Sequence, residues 1–548
     1  MPEYLSPGVY MEEISIGPKP IEGVGTSTAG MLGLTERGPV GVRLVTNMGE
    51  YQRYYGGYLK DSFLPNAVEG FFGNGGARCF IGRIAGSSAA MSKKDYSGLY
   101  LRATGPGVWG NRVGFLVLNT SGDTSAHPMS TDSKLFKMII AYWKNARPVL
   151  TSVNDLSVLP KNPADFTSDH KTLIKEWESQ INAILDTADM VESFDELSII
   201  ASSPNYFSKI INAQSFLIRM TKSAGSEDEE KPDSDLTNRP GNLYKFDFLD
   251  NGATTDPAIE LDDFKGNPAA KAGKRTGIEA FKDVDEINIV YCPDVYYTNI
   301  DSEALIKAIV GHCELMKDRF AIIDSPQGQN IVSAVQKPVD STYAAFYYPW
   351  IKVYDPLLKD RKLIPPGGFV AGVYARSDIE RGVHKAPANE IVKGALELEF
   401  PLSKAHQAIL NPKGINAIRQ FPGRGIRVWG ARTTSSDPEW KYINVRRLFL
   451  YVEESIEKGT QWVVFEPNNE QLWARVKQSI VNFLTTVWRD GALMGSTPEQ
   501  AFFVDIGFST MTPADLDNGK LICMIGIAPT KPAEFVIFRI YQKTLEVK

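Results

Sequence analysis

The stretch from 287 to 323 constrains the fold most. Ile287 to Tyr291 reads as a buried-type strand. Leu305, Ile306, Ile309, Cys313 and Met316 then recur at helical spacing, and Phe320-Ala321-Ile322-Ile323 is a second buried-type strand. Strand, helix and strand in that order predict a β-α-β unit with a right-handed crossover. Upstream, Phe71 to Arg83 reads as the end of a helix, a tight glycine turn and a strand. Downstream, Asn468 with Gln471 predicts a capping box for a helix whose apolar side is Leu472, Trp473, Val476, Ile480, Phe483, Leu484 and Val487, stopping at Gly491. There is no internal repeat and no sustained heptad.

The two ends of the chain follow a different rule. Residues 1–25 carry Pro2, Pro7, Pro18 and Pro20 with glycines at 8, 17, 23 and 25, a spacing that forbids a helix of useful length. The segment between them, Gly8 to Ile16, is β-prone but has no hairpin partner nearby, so it reads as an extended arm. The other end mirrors it: Pro532-Ala533-Glu534 precedes the strand-like Phe535-Val536-Ile537-Phe538-Arg539-Ile540-Tyr541. Both ends are strands in search of a sheet.

At 548 residues the chain holds material for three or four domains. Hydrophobic residues make up 43% and charged residues 23%, so large cores can be buried and global disorder is excluded. Lys and Arg number 59 against 65 Asp and Glu, a net charge of -6 that argues against nucleic acid or an anionic membrane as the main partner. The excess is local. Residues 121–280 hold 17 basic and 25 acidic side chains, including Glu227-Asp228-Glu229-Glu230, as suits a solvent-facing insertion. Cys79, Cys292, Cys313 and Cys523 form no CxxC pair and are expected to be buried free thiols of a protein made in a reducing cytoplasm. No apolar run nears the ~18 residues of a membrane span and the N-terminus lacks a secretory pattern, so assembly in the cytoplasm without membrane insertion is expected.

Candidate chemistry is thin. Gly105-Pro106-Gly107-Val108-Trp109-Gly110 is a literal GxGxxG, but a strand follows it where the dinucleotide motif needs a helix, so a turn between strands is expected. Gly423-Arg424-Gly425 lacks the Gly-Lys-Ser/Thr of a phosphate loop. His312, Cys313 and Cys292 lack a fourth metal ligand, and Cys313 sits on an apolar helix face. Ser377, Asp378 and His384 are close in sequence, which is not triad geometry, and no GxSxG surrounds the serine. With five histidines in the chain, no catalytic, cofactor or metal residue is assigned. The expectation is a protein that is not an enzyme.

A set of segments in fixed order resembles the contractile-tail sheath proteins of bacteriophages and phage-derived injection systems. They are Ser6 to Glu13, Phe71 to Gly76, Trp109-Gly110-Asn111, Ala371 to Arg376, Ala386 to Asn389, Val428 to Thr433, Tyr442 to Arg447 and Phe465 to Asn468. The resemblance implies an α+β, multi-domain fold. It would have a mixed core (26–95 and 285–530), an outer inserted domain (96–284), an N-terminal arm (1–25) and a C-terminal arm (531–548). It implies a subunit that polymerises as stacked six-fold rings around an inner tube in a metastable extended state, then contracts to drive the tube into a target. Its expected partners are further copies of itself, the tube protein, and baseplate and terminator or cap proteins, within a phage tail or tail-like particle. Val9, Tyr10, Met11, Ile14, Phe535, Val536, Ile537, Phe538 and Ile540 are the expected inter-subunit arm residues. Residues 401–490 carry 13 basic and 8 acidic side chains, and Arg475, Lys477 and Arg489 are the candidate tube-facing cations. Two alternatives stay open: a sheath-like cap or baseplate-proximal paralogue, and more distantly a nucleotide-binding enzyme.

Overall fold

The computed structural model describes residues 20–96, 99–121, 134–150, 153–154, 156–160, 165–221, 245–252, 256, 258–296 and 300–539. The expected arm residues Val9, Tyr10, Met11, Ile14 and Ile540 lie outside them.

The centre is a nine-stranded sheet, taken in spatial order as Glu390–Ile391, Gly425–Val428, Ile415–Phe421, Ala344–Tyr348, Phe320–Asp324, Ile289–Tyr291, Ala29–Leu34, Cys79–Ile84 and Arg43–Val45. The six strands from Ile415–Phe421 to Cys79–Ile84 are parallel, and antiparallel strands close both edges. Ile289–Tyr291, the helix Ser302–Met316 and Phe320–Asp324 form the expected β-α-β unit. Parallel strands covered on both faces read as continuous apolar runs, which is why this part is plain in the sequence.

One face of the sheet is covered by the helices Leu64–Gly73 and Gly367–Arg381. They cross at glycines. A Cβ on Gly70 would stand 2.2 Å from the Phe369 ring, and one on Gly372 would stand 2.5 Å from the Phe71 carbonyl. The helix Ser302–Met316 covers the other face with Leu305, Ile309 and Cys313. Phe264, Ile278 and Phe281 pack on that same face, so the chain has rejoined the core well before 285. The outward excursion is correspondingly narrower than 96–284. Its two small antiparallel sheets are built from strands between Lys93 and Phe248, and Lys93 and Asp250 exchange both backbone hydrogen bonds where the excursion begins and ends. Across the seam, Glu36 accepts from Tyr142 Oη at 2.9 Å and pairs with Lys144 at 2.9 Å.

A further unit follows the sheet. The helices Ile443–Gly459 and Glu470–Arg489 pack with the antiparallel pair Phe502–Ile506 and Cys523–Ile527 around Leu448, Val452, Trp473, Ile480, Leu484 and Val487. The cap of Glu470–Arg489 is Asn469, one residue after the one expected. Its side chain accepts from Leu472 N–H, while Asn468 is engaged by the Trp473 indole at 2.7 Å. Cys79, Cys292 and Cys313 are buried as expected; Cys523, on the outer strand, is only half-buried.

Candidate functional site at the roots of the two terminal arms

Both terminal segments enter the described structure against one helix, Ile443–Gly459. On the N-terminal side Ile21 is buried among Leu448, Val452 and the Glu470–Arg489 helix. Gly459 permits this, because a Cβ there would stand 2.7 Å from Ile21 Cγ2. Val24 N–H donates to Ser455 Oγ at 3.1 Å. Arg447 donates to the Thr26 carbonyl at 2.8 Å and to both oxygens of Asp378 at 2.9 and 2.5 Å, and Thr26 Oγ1 donates to Asp378 at 2.7 Å. The Arg447 and Asp378 side chains are each 3% exposed. Burial works against the Arg447 charge, but the Asp378 carboxylate outweighs it and the guanidinium titrates above its ordinary value. Removing one partner of such a pair leaves a buried charge uncompensated, typically a loss of about 3–5 kcal/mol.

The C-terminal segment is held at the other end of the helix. Asn444 Nδ2 donates to the carbonyls of Thr530 at 3.1 Å and His384 at 2.8 Å. Four residues later Glu534 meets Arg432 in a bidentate pair, Nε to Oε1 at 2.8 Å and Nη2 to Oε2 at 2.7 Å. Asn411 Nδ2 adds a bond at 2.7 Å, Tyr442 Oη one at 3.0 Å, and Lys441 Nζ lies 3.5 Å away. Partial burial pushes the Glu534 pKa up, but Arg432, Asn411 and Tyr442 together hold it down at about 2. Past this clamp Phe535, Val536, Ile537 and Phe538 are 71, 68, 78 and 85% exposed and pair with no strand among the described residues. Among the described residues 535–539 form no strand, because no other described strand lies alongside to supply the second row of backbone partners.

Neither anchor was assigned from the sequence. Arg432, Tyr442, Asn444 and Arg447 do lie in the segments that carry the family resemblance, and the fold gives those segments a shared task. Asp378 stands between Ser377 and His384 in the sequence, a grouping of triad residue types. Its carboxylate is instead committed to Arg447 and Thr26, and Ser377 Oγ is buried without a partner among the described residues. His312 lies 3.3 Å from Arg319 Nη1, and burial and that cation lower its pKa to about 3. Among the described residues no group of three or more His, Cys, Asp or Glu could hold a metal. The GxGxxG stretch forms a turn, with Gly107 at φ 122°, and a single 3-10 turn between the strands Leu99–Ala103 and Val113–Leu118. No helix of the described residues is long and apolar enough to cross a membrane.

Arg475, Lys477 and Arg489 are all exposed on the helix Glu470–Arg489 outside its buried stripe, Arg475 and Arg489 on one flank and Lys477 on the other. Arg475 stacks 5.3 Å from the Trp462 ring and pairs with Glu466 at 3.4 Å. Lys477 and Arg489 form no ion pair among the described residues. The pair Phe502–Ile506 and Cys523–Ile527 has no third strand among the described residues, and it exposes Phe503 (57%) and Met524 (54%). Two strands alone are marginally stable, so this sheet has room for more.

The comparisons with known proteins meet the same region. Residues 266–434 match the phage tail sheath protein central domain, and residues 435–543 match the phage tail sheath C-terminal domain. The tail sheath protein of Burkholderia phage BcepMu is 28% identical over 251 residues, 41% of this chain and 51% of that protein. The chain thus spans about half the length of that curated relative. A chain of the anti-feeding prophage baseplate, in a sixfold-symmetrised reconstruction, is 38% identical over 48% of this chain and 71% of its own, with a TM-score of 0.42. The sheath complex of an extracellular contractile injection system, PVC, in its contracted state is 21% identical over 99% of both chains, with a TM-score of 0.54, which indicates a shared fold. The two family matches together take in slightly more than half of the sequence, and the chain belongs to the phage tail sheath family.

Proposed function

We propose that this chain is the structural subunit of a contractile sheath. It polymerises as stacked six-fold rings around an inner tube in a metastable extended state, and contracts to drive the tube into a target cell. The observation that carries this reading is the C-terminal segment. It is clamped at Glu534 and then runs as four exposed apolar residues, beside a two-stranded sheet with unpaired edges elsewhere on the same chain. Strand addition between copies completes both, with residues 1–20 and 535–548 as the donated arms. At ~1 kcal/mol net per backbone hydrogen bond, a five-bond strand gives several kcal/mol per link, which repeats throughout a lattice.

The tube is the second partner, with Arg475 and Arg489 as its contacts from one side of the helix and Lys477 from the other flank. Arg475 and Arg489 are 14 residues apart, so they share one side of the helix about 21 Å apart. Charge contacts of this kind are reversible and screened, as a surface that must grip and then release requires. Baseplate and terminator proteins bound the polymer at its two ends, and the particle assembles in the bacterial cytoplasm. No step uses a catalytic residue or a nucleotide.

Electron microscopy of the purified chain, alone and co-expressed with its tube, tests the reading. Hollow tubes with six-fold rings are expected. A well-folded chain that stays monomeric at high concentration, with and without tube, refutes it.

A further inference from the structure

The Gly423-Arg424-Gly425 stretch is the tip of a hairpin near one edge of the central sheet. The Arg424 N–H closes the turn on the Phe421 carbonyl at 3.0 Å, and Gly423 and Gly425 supply the positive φ of 71° and 75° that it requires. The two strands that meet there, Ile415–Phe421 and Gly425–Val428, set Arg419 directly opposite Arg427. Such neighbours point to one face with Cβ atoms about 5 Å apart, and like charges in that position repel.

No carboxylate among the described residues relieves the repulsion. Arg424 Nη2 donates to Asn389 Oδ1 at 3.1 Å, and Arg427 donates to the carbonyls of Asn389 at 2.7 Å and Arg424 at 3.0 Å. Arg419 Nε reaches only the Leu402 carbonyl, at 3.4 Å. All of these acceptors are neutral. Glu390, on the adjoining strand, is taken by Lys385 at 2.6 Å. Burial lowers the Arg419 pKa, and no anion offsets it. The guanidinium groups of Arg419 and Arg424 lie 5.0 and 5.8 Å from the centre of the Phe421 ring, which packs on Trp429 at 4.5 Å. Three cations are thus gathered on an aromatic platform with N–H groups to spare, an arrangement suited to bidentate carboxylates.

We propose that this hairpin is a carboxylate-binding clasp for a second copy of the chain, receiving the acidic segment 121–280 of its neighbour. The inference rests on the reading that copies associate. That segment carries 25 acidic against 17 basic side chains, so it has charge to give. Within one copy the two are held apart. The strand Gly425–Val428 stands second in the sheet, and Cys79–Ile84, after which the chain runs out into the excursion, stands eighth, six strand spacings or about 29 Å away. Over that distance salt screens the attraction. Complementary charge on opposite sides of one molecule makes a head-to-tail contact, which repeats into rings or helices.

Cross-linking within assembled tubes tests this. Arg424→Lys keeps the charge and supplies an amine that a carbodiimide joins to a carboxylate in contact with it, and Arg427→Lys does the same from the strand. Tubes grown from equal parts of isotope-labelled and unlabelled variant should yield position 424 or 427 joined to Asp or Glu of 121–280 in mixed-isotope pairs, which only two copies can give. Arg419→Gln with Arg424→Gln should assemble several-fold less at low salt, with the deficit closing as salt rises. The arms still hold the polymer, so tubes become fewer without vanishing. Melting should be no lower than that of the wild type, because repulsion is relieved. Linkages confined to one copy, made only to another protein, or absent overturn the clasp. So does a double variant that assembles like the wild type at every salt concentration, or one that melts lower, which would assign the arginines to stability. DNA binding by the unassembled chain that the double variant loses would give the hairpin to phosphate and overturn it too. Tubes without the linkages remove the clasp and leave the sheath reading standing. Mixed-isotope linkages in oligomers that never become tubes remove the sheath reading and leave the clasp.

Discussion

Glu534 gathers Arg432, Asn411, Tyr442 and Lys441 around one carboxylate, and the sign of its titration follows from that company. Its pKa is depressed from about 4.5 to about 2, so the clamp contributes fully above pH 4.5 and is lost as the pH falls towards 2. Hydrogen exchange over 528–534 should therefore quicken across that window in the wild type, and Glu534→Gln should exchange faster at pH 7 with little pH dependence of its own beyond the intrinsic rate. Asp324 behaves oppositely. It is buried at the end of a central strand, and that burial raises its pKa to about 7 despite bonds from Tyr291 Oη and the Gly367 N–H. The stability it permits is complete below its unfolded pKa and declines as pH rises through about 7. Thermal unfolding should show Tm falling between about pH 4 and 7 and levelling above, and Asp324→Asn should flatten that slope; an unchanged slope would assign it to another group, such as Asp294, raised to about 6. These roles were not legible in the sequence. Glu534 and Arg432 stand about a hundred positions apart, and a carboxylate beside a serine and near a histidine, as Asp378 is, suggests catalysis until a distant arginine is seen to occupy it.

At the scale of elements the sequence was most legible where burial is symmetric. The strands Ile289–Tyr291 and Phe320–Asp324 are covered on both sides and leave no polar interruption, whereas helix ends depend on which of two neighbouring asparagines turns inward. The terminal strand was legible as a propensity, but the described part of it, 535–539, pairs with no described strand of its own chain, and pairing is not a property of the segment alone. The helix Glu470–Arg489 carries the test that belongs here. Reversing Arg475 and Lys477 to glutamate places repulsion where attraction to an acidic tube is proposed, on side chains outside the core. Sedimentation should show tube-bound extended sheath reduced several-fold at low salt and less so at high salt, where screening shortens the reach of charge. Melting should be unchanged, and normal yields at low salt would take this helix off the tube-facing surface.

Taken whole, the molecule is a parallel-sheet core with an excursion on one side and the arm-bearing unit on the other. The excursion starts and ends at Lys93 and Asp250, which are paired neighbours, so its removal leaves ends that a short glycine linker can join. Excising 93–250 should give a folded chain that still forms tubes, with stability lowered mainly by the lost seam at Glu36; a folded but monomeric product would place assembly contacts in the excursion. The acidic composition marked this region in the sequence, but its boundary was not legible. Phe264, Ile278 and Phe281 return to the core while the charge pattern still reads as insertion, because charge reports exposure and not which sheet a strand joins. The account stands on one claim, that the chain beyond Glu534 completes a sheet in another copy. A helical reconstruction of the assembled tubes at side-chain resolution measures it. Phe535 to Phe538 should be hydrogen-bonded along an edge of the Phe502–Ile506 and Cys523–Ile527 sheet of a neighbouring subunit. Finding the same residues folded back on their own chain, or unpaired in an intact tube, would contradict it.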